Sequence, residues 1–272
     1  MRLKNNKLIY HENDDLIDIG IHLTNDKQIF FINAGSYETD HYYYFSDPNN
    51  ILPFTKKSNK LKYSISKHHD NYLITTNKDN CTNFKVMITN INKTSEENWI
   101  DFIDYNSNHF IQGTEINNDY VLIFFKEIGN HYIRVIKYCN CNYDIKNSYI
   151  INLKDDIQNT SLEFINYKSN RIVISNNNLN TPNTLYKFNL DNKEMILLKQ
   201  KEVPFYDKNL YSSKRLFVDS IDGKKIPISI IYKNDLFLND GTNPVYLYGY
   251  GSYGHTVDPN FRLSMLTLLD RG

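Results

Sequence analysis

Four times within the first 200 residues, two runs of β-branched and aromatic residues flank a polar turn. QIFFINAG (28–35) leads through SYETD into HYYYF (41–45), and NYLITTN (71–77) passes KDNCTN into FKVMITNI (84–91). YVLIFFKE (120–127) turns at IGN into HYIRVIKY (131–138). RIVISNN (171–177) crosses a Pro-containing loop into TLYKFNL (184–190), and EMILLKQ (194–200) follows. Residues of this kind suit a pleated, half-buried surface, so each unit is predicted to be a β-hairpin. The units begin near Ile29, Tyr72, Val121 and Ile172. That recurrence of about 43–51 residues matches the period of a β-propeller blade and argues for radially arranged four-stranded sheets over a plain sandwich. No WD or kelch signature accompanies the repeat.

Bulk properties exclude several function classes. The 272 residues suffice for one large or two modest domains. The 31 basic and 31 acidic side chains are well mixed and form no basic stripe, so neither nucleic acid nor an anionic membrane surface is expected as a partner. The longest apolar runs are too short to cross a bilayer. The opening MRLKNNKLIYHENDD lacks the apolar centre of a secretory signal, and three cysteines suit a reducing compartment. A cytoplasmic protein is expected. Asparagine tracts such as SNNNLNTPN (175–183) read as loops.

The character changes near Pro204, which divides the chain into a propeller-like part (1–203) and a second domain (204–272). KRLFVDSIDGKKIPISIIYK (214–233) is predicted to be a long hairpin, with Asp222 and Gly223 at the φ > 0 positions of a tight turn. PVYLYGY (244–250) is a continuous apolar and aromatic strand of the kind buried on both faces of an α/β sheet. DPNFRLSMLTLLDRG reads as a helix capped by Asp258, with Pro259 in its first turn and Gly272 just past its end. These roughly 65 residues would leave one side of their sheet uncovered, which invites a partner or aggregation.

The candidate sites are few. Gly249, Gly251 and Gly254 spell G-x-G-x-x-G, but a dinucleotide turn runs straight into its helix, whereas HTVD and Pro259 intervene here. No cofactor is expected. Ser252 is not a nucleophile elbow, because position 250 is tyrosine where the motif needs glycine. Cys139 and Cys141 would share one face of a strand but have no second pair of ligands nearby, so no metal site is expected. His68 and His69, with Asp70, sit at a loop-to-strand junction and read as structural. Trp99 reads as packing, and DHYYYF as a strand whose tyrosine hydroxyls reach solvent.

NPVYLYGYGSYG…FRLSMLTLLDRG resembles the opening of the catalytic domain of prolyl oligopeptidase-type serine peptidases, and more closely the oligopeptidase B branch, which cuts after basic residues. TPNTLYKFNLDNKEMILLKQKEVPFY and LYSSKRLFVDSIDGKKIPISIIYK are similar to the family's last blade and its entry into the hydrolase domain. NKLIYHENDD with IHLTNDKQIFFINAGS is similar to an earlier blade. The resemblance implies a mainly β fold, with about four blades of a seven-bladed-type propeller followed by the first elements of an α/β-hydrolase domain. It also implies that Tyr250, the second tyrosine of YGYG, lends its hydroxyl to an oxyanion hole, with Gly249 and Gly251 letting the strand end turn sharply. Tyr253 matches an aromatic that lines the substrate pocket, with a packed tyrosine under the propeller as the equal alternative.

The family's nucleophilic serine, aspartate and histidine, and the acidic residues selecting a basic side chain, all fall beyond Gly272 in this alignment of motifs. Its N-terminal extension and first blades have no counterpart before Met1. An oxyanion donor without nucleophile and base offers no covalent pathway, so the chain alone is expected to be inactive. Short peptides are the implied substrates, and a companion chain carrying the rest of the hydrolase domain is the implied partner, as in a split, truncated or decaying gene. The alternatives are a non-catalytic propeller-type module binding peptides or proteins, and a product with no function of its own.

Overall fold

The computed structural model describes residues 7–153 and 155–272; Met1 to Asn6 and Lys154, which belong to the predicted first domain, lie outside the described residues. The chain is mainly β. Its first 200 residues form four sheets of four antiparallel strands, each a meander in chain order. The first comprises β1 (Asp18–Leu23), β2 (Phe30–Gly35), β3 (Asp40–Phe45) and β4 (Leu52–Pro53). The second comprises β5 (Tyr63–His68), β6 (Asn71–Thr76), β7 (Lys85–Asn90) and β8 (Ile100–Asp101). The third comprises β9 (Phe110–Ile116), β10 (Tyr120–Glu127), β11 (Asn130–Cys139) and β12 (Asn142–Ile151). The fourth comprises β13 (Thr160–Ile165), β14 (Arg171–Asn178), β15 (Thr181–Asn189) and β16 (Met195–Gln200). These are the blades of a propeller.

Strand alternation explains how the sheets stack. Successive side chains point to opposite faces, so in β10 Val121, Ile123 and Phe125 enter one apolar cluster while Tyr120 and Leu122 enter another. The first cluster joins them to Leu73 and Val86 of the second sheet. The second joins them to Ile172, Ile174 and Phe188 of the fourth. Likewise Tyr72 and Ile74 point to a third cluster shared with Phe31 and Tyr42 of the first sheet. The central strands of the second and third sheets are therefore buried on both faces, not half-buried as their composition suggested. YVLIFF has no polar residue because both of its faces are core.

Other expectations also need correction. The asparagine tract 175–183 is not a loop; β14 runs to Asn178 and β15 begins at Thr181. Asn176 and Asn178 are buried, and both side-chain amides donate to Asp155, which is how polar residues are tolerated there. The DHYYYF tyrosines do not all reach water, since Tyr42 is buried with its hydroxyl accepting from the Asn33 amide at 2.6 Å. Trp99 packs against Phe54 and Tyr63 as expected, and its indole N–H donates to the Thr94 carbonyl at 2.8 Å.

Beyond residue 204, β17 (Tyr211–Asp219) and β18 (Lys225–Lys233) form the long hairpin, paired from Tyr211–Lys233 to Asp219–Lys225. Its connection is a five-residue loop, not a two-residue turn. Only Gly223 there is left-handed (φ 77°), while Asp222 instead accepts a hydrogen bond from the Ser220 hydroxyl. Residues 244–250 run outside any ladder, so the expected strand has no sheet partner among the described residues. The helix α1 (Leu263–Leu269) starts after Arg262, one turn later than the Asp258-Pro259 signal implied.

Double-sided burial predicts a sharp contrast in truncation costs. Ile123→Ala, at a fully buried site, should cost about 2–5 kcal/mol. Ile196→Ala, on an exposed face of the fourth sheet, should cost less than about 1 kcal/mol. Urea unfolding of both variants checks this, and equal costs would contradict the stacking.

Candidate functional site

The tyrosine- and glycine-rich corner at 246–256 lies beside the propeller blades. Tyr246, Leu247 and Tyr248 are exposed, and the Arg262 guanidinium stacks over the Tyr248 ring at 4.7 Å. The chain reverses at Ser252–His255, where the His255 N–H donates to the Ser252 carbonyl at 3.1 Å. Tyr253 (φ 56°) and Gly254 (φ 67°) are left-handed in succession, the pattern of a type I′ turn. That conformation costs a residue with a Cβ about 1–2 kcal/mol. Gly249 and Gly251 do not have left-handed backbone, and a Cβ on either would meet nothing within 4 Å. The turn is thus made at Tyr253-Gly254, not at the glycines that flank Tyr250.

Tyr250 is 55% exposed, and among the rings of the described residues it meets only His255, edge-on at 6.1 Å between centroids. Its hydroxyl has no hydrogen-bond partner among the described residues. Such a phenol is free to donate to an incoming oxygen. Tyr253 is also exposed, with an edge-to-face contact to Tyr37 of the β2–β3 turn at 5.9 Å.

Polar side chains at the sheet ends hold the segment that follows. Asp258 accepts from Lys126 Nζ at 2.8 Å and pairs with His131 Nε2 at 2.9 Å, at the end of β10 and the start of β11. Lys126 also donates to the Thr256 hydroxyl at 2.8 Å. The Asn159 amide donates to Asn260 Oδ1 at 2.6 Å, and the Phe261 N–H donates to Asn177 Oδ1 at 2.9 Å. Arg215 of β17 reaches back to Asn130 Oδ1 at 2.9 Å. Burial alone would raise the Asp258 pKa, but the hydrogen bonds and charges of His131 and Lys126 outweigh it and hold the carboxyl well below the usual range. Sequence reading placed Asp258 as a helix cap. Its partners lie 127 and 132 residues away, and no local pattern marks such a pair.

An apolar cavity of about 290 Å³ lies between β18, residues 243–247 and α1, with Ile230, Leu247, Met265 and Leu269 among its walls. The remaining sequence candidates lie apart from this cavity. His68 is fully buried: its Nε2 donates to the Asn118 carbonyl at 3.2 Å, so its Nδ1 accepts from the Tyr143 hydroxyl at 3.0 Å. The His69 ring stacks on Tyr138. Burial first, and the neighbouring His69 second, push the His68 pKa down to about 4. Cys139 and Cys141 do not share a strand face, because Cys141 (φ 58°) lies in the β11–β12 turn. Both are exposed free thiols, and no group of three metal-ligating side chains occurs among the described residues.

Comparison with known proteins gives a consistent result. Residues 2–201 match the family described as prolyl oligopeptidase, N-terminal β-propeller domain. The chain is 29% identical over 271 residues to dipeptidyl aminopeptidase BI of Pseudoxanthomonas mexicana, covering 97% of this chain and 36% of that protein. It is 25% identical to protease 2 of Moraxella lacunata, covering 99% of this chain and 38% of that protein. The chain thus spans little more than a third of the length of these relatives. Among solved structures, oligopeptidase B from Trypanosoma brucei, closed with covalently bound antipain, superposes with a TM-score of 0.89 at 21% identity, over 97% of this chain and 38% of that one. That likeness concerns the fold.

Two pH effects follow from the electrostatics. The folded state holds the Asp258 pKa below its unfolded value, so its contribution is present at neutral pH and is lost as pH falls below about 4. Asp258→Asn should weaken docking of residues 244–272 by about 1–2 kcal/mol, allowing for partial exposure. Hydrogen exchange of that segment reads it, and unchanged protection would contradict the assignment. The His68 contribution is intact above about pH 6.5 and lost toward pH 4. Between pH 7 and pH 5 this should remove about 2 kcal/mol of stability, a loss absent in His68→Gln when both proteins are unfolded in urea.

Proposed function

The chain belongs to the prolyl oligopeptidase family through its propeller, and on that premise we propose that it is the propeller and hydrolase-entry portion of an oligopeptidase B-like serine endopeptidase acting on short peptides. Residues 204–272 are the start of the α/β-hydrolase domain in this reading. The observation that carries it is the Tyr250 phenol, exposed at the end of an unpaired apolar segment with its hydroxyl uncommitted. A hydroxyl at such a rim can donate to the oxygen that becomes negative when a peptide carbonyl is attacked. One fixed donor of that kind is worth about 3–4 kcal/mol of transition-state stabilisation. Tyr253, at the adjacent turn, is proposed to line the peptide's path.

The remaining roles follow from what the residues lack. No serine here stands in a nucleophile elbow, so acyl transfer needs a nucleophile and base from outside residues 1–272. The exposed apolar segment 244–250 and the cavity behind it support a companion sheet in that place, on the same polypeptide or on another. Selection of a basic side chain before the scissile bond likewise falls to acidic residues outside the chain.

The chain alone should not hydrolyse a peptide substrate with arginine before the cleaved bond. Joined to the segment that supplies the nucleophile, it should turn the substrate over. There Tyr250→Phe should lower kcat about 100- to 1000-fold with KM little changed. Turnover by residues 1–272 alone, or full activity of the phenylalanine variant, would overturn the proposal.

A further inference from the structure

A cleft of about 540 Å³ opens between the second and third sheets, and none of its lining residues belongs to the tyrosine corner. An irregular strand supplies two of its walls, Ile145 and Ser148. Along β11–β12 the pairing jumps from Val135–Tyr149 to Lys137–Asp144, so residues 145–148 bulge away opposite Ile136. Alternation on β11 puts Arg134 on the face of Tyr132 and Ile136, which is turned toward the second sheet. Arg134 is half-buried in the cleft wall, and its guanidinium has neither ion pair nor hydrogen bond among the described residues.

The other charged groups at the cleft are differently disposed. Lys85 is committed to Asp101 at 2.8 Å and Asp79 at 2.9 Å. His109 stacks on Phe125 and faces Glu127 at 3.6 Å. Arg134 is therefore the free cation of the lining. Asp104, exposed in the lining, is a carboxylate unpaired among the described residues, and the Ser148 hydroxyl of the lining is likewise unpartnered among them. Phe84, Tyr105 and Ile145 supply apolar walls.

We propose that this cleft binds a small zwitterion, a free amino acid or a di- or tripeptide with apolar side chains. Arg134 and Ser148 take the carboxylate, Asp104 takes the ammonium group, and the aromatic and aliphatic walls take the side chain. A guanidinium fork matches one carboxylate in a bidentate pair. A phosphate dianion would want a second free cation, and Asp104 would repel it. The proposal is independent of the role given to Tyr250.

The test is calorimetric titration of the protein with L-alanyl-L-phenylalanine, its C-terminal amide, its N-acetyl form and inorganic phosphate. The dipeptide should bind with a dissociation constant of about 0.1–1 mM. Arg134→Met should weaken it about tenfold or more, and the amide should bind wild type and Arg134→Met equally weakly. The N-acetyl form should lose affinity on wild type but lose nothing further on Asp104→Asn. Tyr250→Phe should leave dipeptide binding unchanged. If Arg134→Met fails to fold by circular dichroism, the comparison of dipeptide with amide on wild type decides. No saturation by about 10 mM, equal affinity for dipeptide and amide, competition by phosphate at similar concentration, or loss of binding in Tyr250→Phe would each overturn the proposal.

Discussion

The two middle blades of this chain depend on a neighbour on each side, because their central strands are buried on both faces. A sheet with polar alternation can stand with one side in water, but one whose middle strand reads YVLIFF cannot. Tyr120 and Leu122 need the fourth sheet while Val121 and Ile123 need the second, so the sheets stack face to face and share clusters. The end sheets show the other side of this constraint. Phe31 faces the second sheet, so Phe30 points the opposite way, with Ile19, Ile21 and Leu23 of β1 on its face and all partly exposed. On the fourth sheet Phe164 and Ile196 share the exposed face of Val173, turned away from the third. Exposed apolar faces of that kind are where proteins meet partners.

The stack also gives the corner its position. The turns and strand ends of the third and fourth sheets present Lys126, His131, Asn159 and Asn177, and these grip Asp258, Asn260 and the Phe261 amide. Tyr206 adds an aromatic link, stacked on Tyr211 and edge-on to Phe261. Residues 255–262 are thus tied down by charge-assisted and amide bonds, whereas 244–253 carry their aromatic side chains outward. A rigid support behind an open rim is the arrangement that places a phenol without occupying it.

Much of this was legible in the sequence. The middle strands of all four sheets and the hairpin expected at 214–233 followed from β-branched and aromatic runs separated by turns. What escaped were mostly the outer strands. β4 and β8 are two residues each, β1 is exposed throughout, and the bulge in β12 scatters its apolar residues. β4, β8 and β12 leave no periodic trace, whereas β1 does alternate, with Ile19, Ile21 and Leu23 on one face, and its period of two could have found it. The asparagine-rich β14–β15 turn misled for a related reason, since the amide N–H groups of Asn176 and Asn178 donate to Asp155, a tertiary partner invisible to local propensity. Tyr250 was singled out by family resemblance, not by spacing. The glycines that drew attention to it proved sterically undemanding, and the left-handed turn sits at Tyr253-Gly254. Asp258 shows the limit most plainly, because a helix cap and a long-range ion pair have the same local spelling.

The central claim is that Tyr250 donates its hydroxyl to the oxygen that turns negative during peptide cleavage. Its most direct test is a crystal structure of the polypeptide that joins this chain to its nucleophile, trapped as a covalent adduct with a peptide aldehyde. The account predicts the Tyr250 hydroxyl about 2.7–3.1 Å from the adduct oxygen. A hydroxyl turned away from that oxygen, with another group in its place, would contradict it.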